Sequence, residues 1–352
     1  MRLPDFPWDR LSGAKALASA VPGGLVDLSV GTPVDPTPLV VRNALAEAAN
    51  APGYPTTLGT EQVRSAVVGW LSRRLQVSVD PGDVLPLIGT KELVAWLPTL
   101  LGLGHGDTVA YPEVAYPTYE VGALIAGCDT TVVGEPAALT WLSSPSNPTG
   151  AVLTVEQLRA IVAQARDAGG IVVSDECYIE LGWDADPVSL LHPDVCDGDH
   201  SGLLIVHSLS KRSNMAGYRF GFLTGDPALV RRLLEVRKHA GMMVPLPVQA
   251  AAAAAWNDDE HVTVQRARYK ARRDILAQAL TGAGFRIDAS HAGLYLWATR
   301  DEPCWETVNW LAAHGILVAP GDFYGVAGDR HVRVALTASD EAVGLAAARL
   351  GM

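Results

Sequence analysis

The chain is poor in cysteine, short of positive charge and without a long apolar run, and each shortage removes a class of protein. Its four cysteines, Cys128, Cys177, Cys196 and Cys304, show no C-x-x-C pair and no zinc-like spacing among 352 residues. That argues against a disulfide scaffold or a zinc site; reduced thiols in a cytoplasm are the simplest account, and no metal is expected. Lys and Arg number 27 against 38 Asp and Glu, a formal net charge of -11, which disfavours nucleic acid as a partner. The first nine residues hold no apolar h-region and no segment approaches a membrane span, so no membrane association is expected. Repeats, linkers and disordered tracts are also missing. What the chain does have is 49% hydrophobic residues, enough for a large core, and a length that suits one large and one smaller domain.

Against that background one loop stands out. His207-Ser208-Leu209-Ser210-Lys211-Arg212 running on to Gly217-Tyr218-Arg219-Phe220-Gly221 gathers a lysine, hydroxyls and an arginine. A lysine amine forms a Schiff base with a carbonyl, while hydroxyls and a guanidinium fork hold a phosphate dianion; a basic surface turn is the bland alternative. Upstream, Gly170-Ile171-Val172-Val173-Ser174 reads as a buried parallel strand with Asp175-Glu176-Cys177-Tyr178 at its carboxyl end, where open α/β sheets bind ligands. Ser144-Pro145-Ser146-Asn147-Pro148-Thr149-Gly150 follows the apolar Leu139 to Leu142 segment as a tight turn exposing the Asn147 amide. Singly, each could be structural. In this order, the three together are specific.

Weaker signals fit the same picture. Ile88-Gly89-Thr90-Lys91-Glu92-Leu93 reads as a strand end, a glycine turn and a helix start, which makes either an anion site or an ordinary turn with an exposed lysine. Tyr111, Tyr116 and Tyr119 fall within nine residues; Tyr119 reads as packing, and so does Cys177. In the alternating strand His331-Val332-Arg333-Val334-Ala335-Leu336, Arg333 requires an anionic partner, either a ligand or a structural carboxylate. Gly31, before Thr32-Pro33, allows close backbone approach or simply makes a turn.

The alternation of elements predicts a mostly parallel sheet. Helical stretches at 39–50 and 60–75 precede strands near 84–88, 108–111, 131–133, 139–142, 171–174, 203–206 and 219–224. A helix over 229–238 and a long helical stretch from Pro247 to Gly282 lead to strands at 285–288, 293–299, 315–319 and 331–336, which suit a smaller α+β domain. The expected organisation is an N-terminal segment, 1–30, packed with a small C-terminal domain, 246–352, beside a large domain, 31–245.

These motifs, from about residue 25 to the C-terminus, resemble the class I/II aminotransferases, fold-type I enzymes dependent on pyridoxal 5'-phosphate (PLP). The resemblance implies that Lys211 forms the Schiff base with the cofactor and shuttles the substrate proton. Asp175 would pair with the pyridine nitrogen and keep it protonated, and Tyr178 and Asn147 would reach the phenolic oxygen. Arg219, Ser208, the weaker candidate Ser210, and the Gly89-Thr90-Lys91 turn would hold the phosphate, and Tyr116 would stack on the ring unless it packs in the core or rim. Arg333 would grip the substrate α-carboxylate, with Gly31 approaching it and Asn147 beside it. Tyr54, in Gly53-Tyr54-Pro55-Thr56-Thr57-Leu58-Gly59, resembles a tyrosine that crosses to the neighbouring subunit's phosphate, implying a homodimer; a locally packed turn tyrosine is the alternative.

Finer resemblance lies in Phe6-Pro7-Trp8-Asp9, Leu181-Gly182-Trp183-Asp184, Arg237-Lys238-His239-Ala240-Gly241-Met242-Met243-Val244-Pro245 and Gly321-Asp322-Phe323-Tyr324-Gly325. These are similar to short, actinobacterial-type N-succinyldiaminopimelate aminotransferases of lysine and cell-wall biosynthesis, which exchange an amino group between glutamate and a succinylated 2-amino-6-oxo acid. An amino acid and a 2-oxo acid are then the expected small-molecule partners. Lys91, Arg237, Lys238 and His239 are candidate cations for the extra carboxylates. Another aminotransferase or a PLP-dependent C–S lyase would share the scaffold. A PLP-fold effector-binding regulator would require a basic DNA-binding module, for which the chain has neither spare length nor charge.

Overall fold

Most of the apolar runs become buried strands in the computed structural model, which describes residues 3–351. Seven form one sheet: β1 (Val84–Leu87), β2 (Thr108–Tyr111), β3 (Asp129–Val132), β4 (Leu139–Ser143), β5 (Ile171–Asp175), β6 (Leu203–Ser208) and β7 (Gly221–Gly225), in the order β1-β7-β6-β5-β4-β2-β3. All are mutually parallel except β7, which runs antiparallel to β1 and β6. Every residue of β4, β6 and β7 is buried, as expected where helices cover both faces.

A second sheet of four short strands lies in the order Ala319–Pro320, Val332–Ala335, Tyr295–Thr299, Arg286–Asp288. The predicted strand at 315–319 is divided. Ile316–Leu317 pairs in parallel with Val26–Asp27, while Ala319–Pro320 turns to pair with Val332–Ala335. The strand expected at 131–133 begins two residues earlier, at Asp129. The helical stretch from Pro247 to Gly282 is also two helices, Leu246–Asn257 and Glu260–Gly282. The Asp258 carboxylate takes the Glu260 N–H at 2.8 Å, a local bond that competes with continued helix.

Leu246–Asn257 packs Ala251, Ala252, Ala253, Ala255 and Trp256 with the large-sheet core, so the change of core falls after Asn257 rather than at 245. The other core joins Leu11, Ala14, Ala18, Val26 and Leu28 to C-terminal residues such as Val308, Leu311, Val332 and Val343. Cys177, Tyr178 and Leu181, just beyond β5, also belong to it, which sets the end of β5 where this core meets the large sheet.

Candidate active site

The loops after β1, β4, β5 and β6 and the turn before β7 meet at one end of the strands of the large sheet. Register puts Ser143 opposite Asp175 and Asp175 opposite Val206, so the loops after β4, β5 and β6 leave side by side. Because β7 is antiparallel, its entrance, preceded by Arg219, lies at that same end, with Gly221 opposite both Ser208 and Leu87. They enclose a cavity of about 520 Å³, whose lining includes four cations, Lys91, Lys211, Arg219 and Arg333, and one carboxylate, Asp175. A cation excess inside a chain of net charge -11 marks a site for anions.

Asp175 is held from beneath. Its carboxylate accepts from the Tyr119 hydroxyl at 3.1 Å and from the Cys177 N–H at 3.2 Å. Burial raises its pKa despite both bonds, and burial drives the Tyr119 phenol well above its ordinary value, so Tyr119 stays a donor. Tyr119 stacks on Trp141, 5.1 Å between centroids. Tyr119 and Cys177, read from sequence as packing, both line the cavity.

Lys211 sits in the one-turn helix Leu209–Arg212, opened by the Ser208 hydroxyl, which accepts the Ser210 N–H at 3.0 Å. Its ammonium donates to the Gly31 carbonyl, and burial, reinforced by the Arg333 and Arg219 charges, lowers its pKa. The next residue anchors this turn: the buried Arg212 reaches Glu180 at 2.5 Å and lies 4.6 Å from the Trp256 ring centroid. Arg219 adopts a left-handed backbone, φ 57°, uncommon for a residue with a side chain and characteristic of functional sites. Its guanidinium lies where a Cβ on Gly89 would sit, and Gly89 itself has φ 73°, a conformation that favours glycine at the start of the helix Thr90–Leu100.

Arg333 is 3% exposed. It donates to Asn147 Oδ1 at 3.0 Å and to the Ser29 carbonyl at 2.8 Å, while its Nε has no partner. Among the described residues no carboxylate pairs with Arg333, Arg219 or Lys91; the structural salt bridge considered for Arg333 is not there.

Residues 24–350 match the profile of the aminotransferase class I and II family. The chain belongs to that family. It is 60% identical to the 4-dedimethylamino-4-oxo-anhydrotetracycline transaminase OxyQ of Streptomyces rimosus, over 99% of both chains. It is 61% identical to the probable aminotransferase Rv1178 of Mycobacterium tuberculosis, over 99% of this chain and 85% of that one. Among solved structures it is similar to a probable N-succinyldiaminopimelate aminotransferase of Thermus thermophilus, with TM-score 0.88, 29% identity and coverage of 98% and 99%.

Class I and II aminotransferases depend on PLP, and the cavity fits that group. Arg219, Ser208, Ser210 and the first turn of Thr90–Leu100 present donors with no protein anion of their own, as a phosphate requires. Asp175 at a strand end can face a pyridinium, and Lys211 can reach an aldehyde. Tyr116, Tyr178, Asn147 and Gly31 line the same space. Other candidates lie elsewhere. Tyr54 is 94% exposed and outside the cavity. Of the four cations considered for extra carboxylates, only Lys91 lines it: on the helix Pro227–Ala240, Arg237 is buried against Glu92 at 2.9 and 3.1 Å, Lys238 pairs with Glu235, and His239 is exposed. Tyr295 was missed, because a tyrosine in an apolar strand carries no signal of its own.

Proposed function

We propose that this aminotransferase exchanges an amino group between glutamate and N-succinyl-2-amino-6-oxopimelate, in either direction, and that the residues assigned by resemblance carry the reaction. The single observation behind this reading is the charge of the cavity. Four cations face one carboxylate; a phosphate engages Arg219 and its neighbours, and two cations, Arg333 and Lys91, remain for substrate carboxylates. Arg333 takes the α-carboxylate through its planar fork. Lys91 lies 5.6 and 5.8 Å from the ring centroids of Phe6 and Tyr116 and takes a distal carboxylate.

Bound PLP supplies the aldehyde that accepts the amino group and the ring that takes up the electrons left when the Cα proton departs. Asp175 holds the charge opposite the ring nitrogen, and Tyr178 and Asn147 offer hydroxyl and amide to the phenolic oxygen. Lys211, its proton affinity reduced by burial and two arginines, takes the Cα proton and returns it. Exposed Tyr54, together with exposed Val34 and Leu39, supports pairing with a second copy whose site Tyr54 would complete.

The 60% identity to OxyQ favours a second reading, amination of a polycyclic ketone, for which Phe6, Trp8 and Tyr116 at the cavity provide stacking surfaces. A single-turnover absorbance scan of the PLP-loaded protein separates the readings. Conversion by glutamate and by N-succinyldiaminopimelate supports the first. Indifference to the succinylated donor, with amination of an oxo-anhydrotetracycline, supports the second, and release of a thiol from a sulfur amino acid would point to a lyase.

A further inference from the structure

Tyr295 belongs to none of the motifs, yet it touches three of the residues that matter. It is 4% exposed and lines the cavity. Its hydroxyl lies 3.1 Å from that of Tyr178, and the Arg333 guanidinium carbon lies 4.0 Å from its ring centroid. The same hydroxyl occupies the space where a side chain at Gly31 would begin, and the Gly31 carbonyl accepts from Lys211. One phenol therefore borders the carboxylate-binding arginine, the lysine's acceptor and the tyrosine on the cofactor side.

The geometry points to Tyr295 as a positioning residue that senses the charge at Arg333 and sets which way the Tyr178 hydroxyl donates. This rests on the aminotransferase reading above, in which Arg333 takes the substrate carboxylate. Two hydroxyls in contact share one hydrogen bond, so one must donate and the other accept. The groups facing Tyr295 are Tyr178 and Cys177 from the turn after β5, Lys211, and Arg333, with Arg219, Tyr269, Tyr324 and Tyr116 around them. With no carboxylate bound, the Arg333 charge over its ring makes Tyr295 the more acidic phenol of the pair, so Tyr295 donates, Tyr178 accepts, and the Tyr178 proton is left to enter the cavity. Burial acts against ionising Tyr295, but the Arg333 and Lys211 charges and the bond to Tyr178 together hold that phenol below its ordinary value, whereas burial holds Tyr178 far above. A carboxylate on Arg333 offsets that charge. Tyr295 then loses its advantage as donor, the shared bond can reverse, and Tyr178 turns its proton from the cavity to Tyr295.

The test uses PLP-loaded protein, titrated by visible absorbance across the neutral and alkaline range with and without maleate, an unreactive dicarboxylate. In the wild type maleate should move the titration midpoint by about one pH unit. In Tyr295→Phe, which keeps the ring beneath Arg333, maleate should still bind but move the midpoint by less than half as much. In a Tyr178→Phe background the Tyr295→Phe change should add nothing. An undiminished maleate shift in Tyr295→Phe, additive effects of the two substitutions, or loss of maleate binding would each overturn the proposal. A wild type that develops no visible band with PLP would overturn the parent reading along with it, an outcome distinct from the other three.

Discussion

Arg333 donates to Asn147 at 3.0 Å, so a residue of the small sheet is oriented by a loop of the large one. The bond fixes one edge of the guanidinium fork and leaves Nε unpartnered. Arg333→Lys should therefore weaken amino-acid binding by roughly ten- to a hundredfold, since an ammonium cannot reproduce the fork, and should leave PLP affinity nearly unchanged. Spectral titration with PLP, glutamate and N-succinyldiaminopimelate decides it; unchanged affinity for both amino acids would remove Arg333 from the carboxylate site.

Asp175→Asn should leave the fold and the PLP content intact while cutting turnover by about a hundredfold or more, the scale at which preorganised charge controls rate. Stopped-flow half-reactions with glutamate would measure it, and near-wild-type rates would refute the role.

Lys211→Ala should abolish transamination while the protein still binds PLP noncovalently. Borohydride reduction of the PLP-loaded wild type, followed by peptide mapping, should fix the cofactor on Lys211. An adduct on another lysine would sink the assignment.

Most of this was legible in the sequence wherever chemistry and position coincide. Asp175, Asn147, Lys211 and Arg219 lie in polar stretches that directly follow or precede apolar strands, and the shared strand ends of one sheet bring those stretches together. The two-residue strand Val26–Asp27 gave no periodicity to read, and the division at Val318 depends on pairing with segments distant in the chain. Tyr119 and Tyr295 resisted for a related reason. Each looks apolar in its own strand or helix, and each acquires its role from a partner far away in sequence, Asp175 and Tyr178 respectively.

Lys91→Met should raise the half-saturation concentration of donors carrying a distal carboxylate by roughly tenfold and leave that of alanine unchanged. Equal losses for glutamate and alanine would place Lys91 with the phosphate alone.

Glu176 is fully buried; burial, opposed by bonds from the Leu190 N–H and the Ser189 hydroxyl, raises its pKa from 4.5 to about 8. A raised carboxyl pKa means that the unfolded chain releases the proton first. The stability it contributes is full below about 4.5 and declines as pH rises toward about 8. Glu176→Gln should remove that decline and raise the melting temperature near pH 8 by several degrees. A melting profile that falls with pH as steeply as the wild type's would contradict this.

The pairing of Val26–Asp27 with Ile316–Leu317 also constrains how the protein is made. Helix Ser12–Ser19 and the segment bearing Gly31 leave the ribosome well before the helix Cys304–Ala313 and the strand bearing Arg333, against which they pack. At roughly 5–20 residues per second, the early apolar surfaces wait on the order of tens of seconds for their partners. Throughout that interval Leu11, Ala14 and Ala18 lack the partners they pack against and remain open to chaperones and proteases until those later elements arrive.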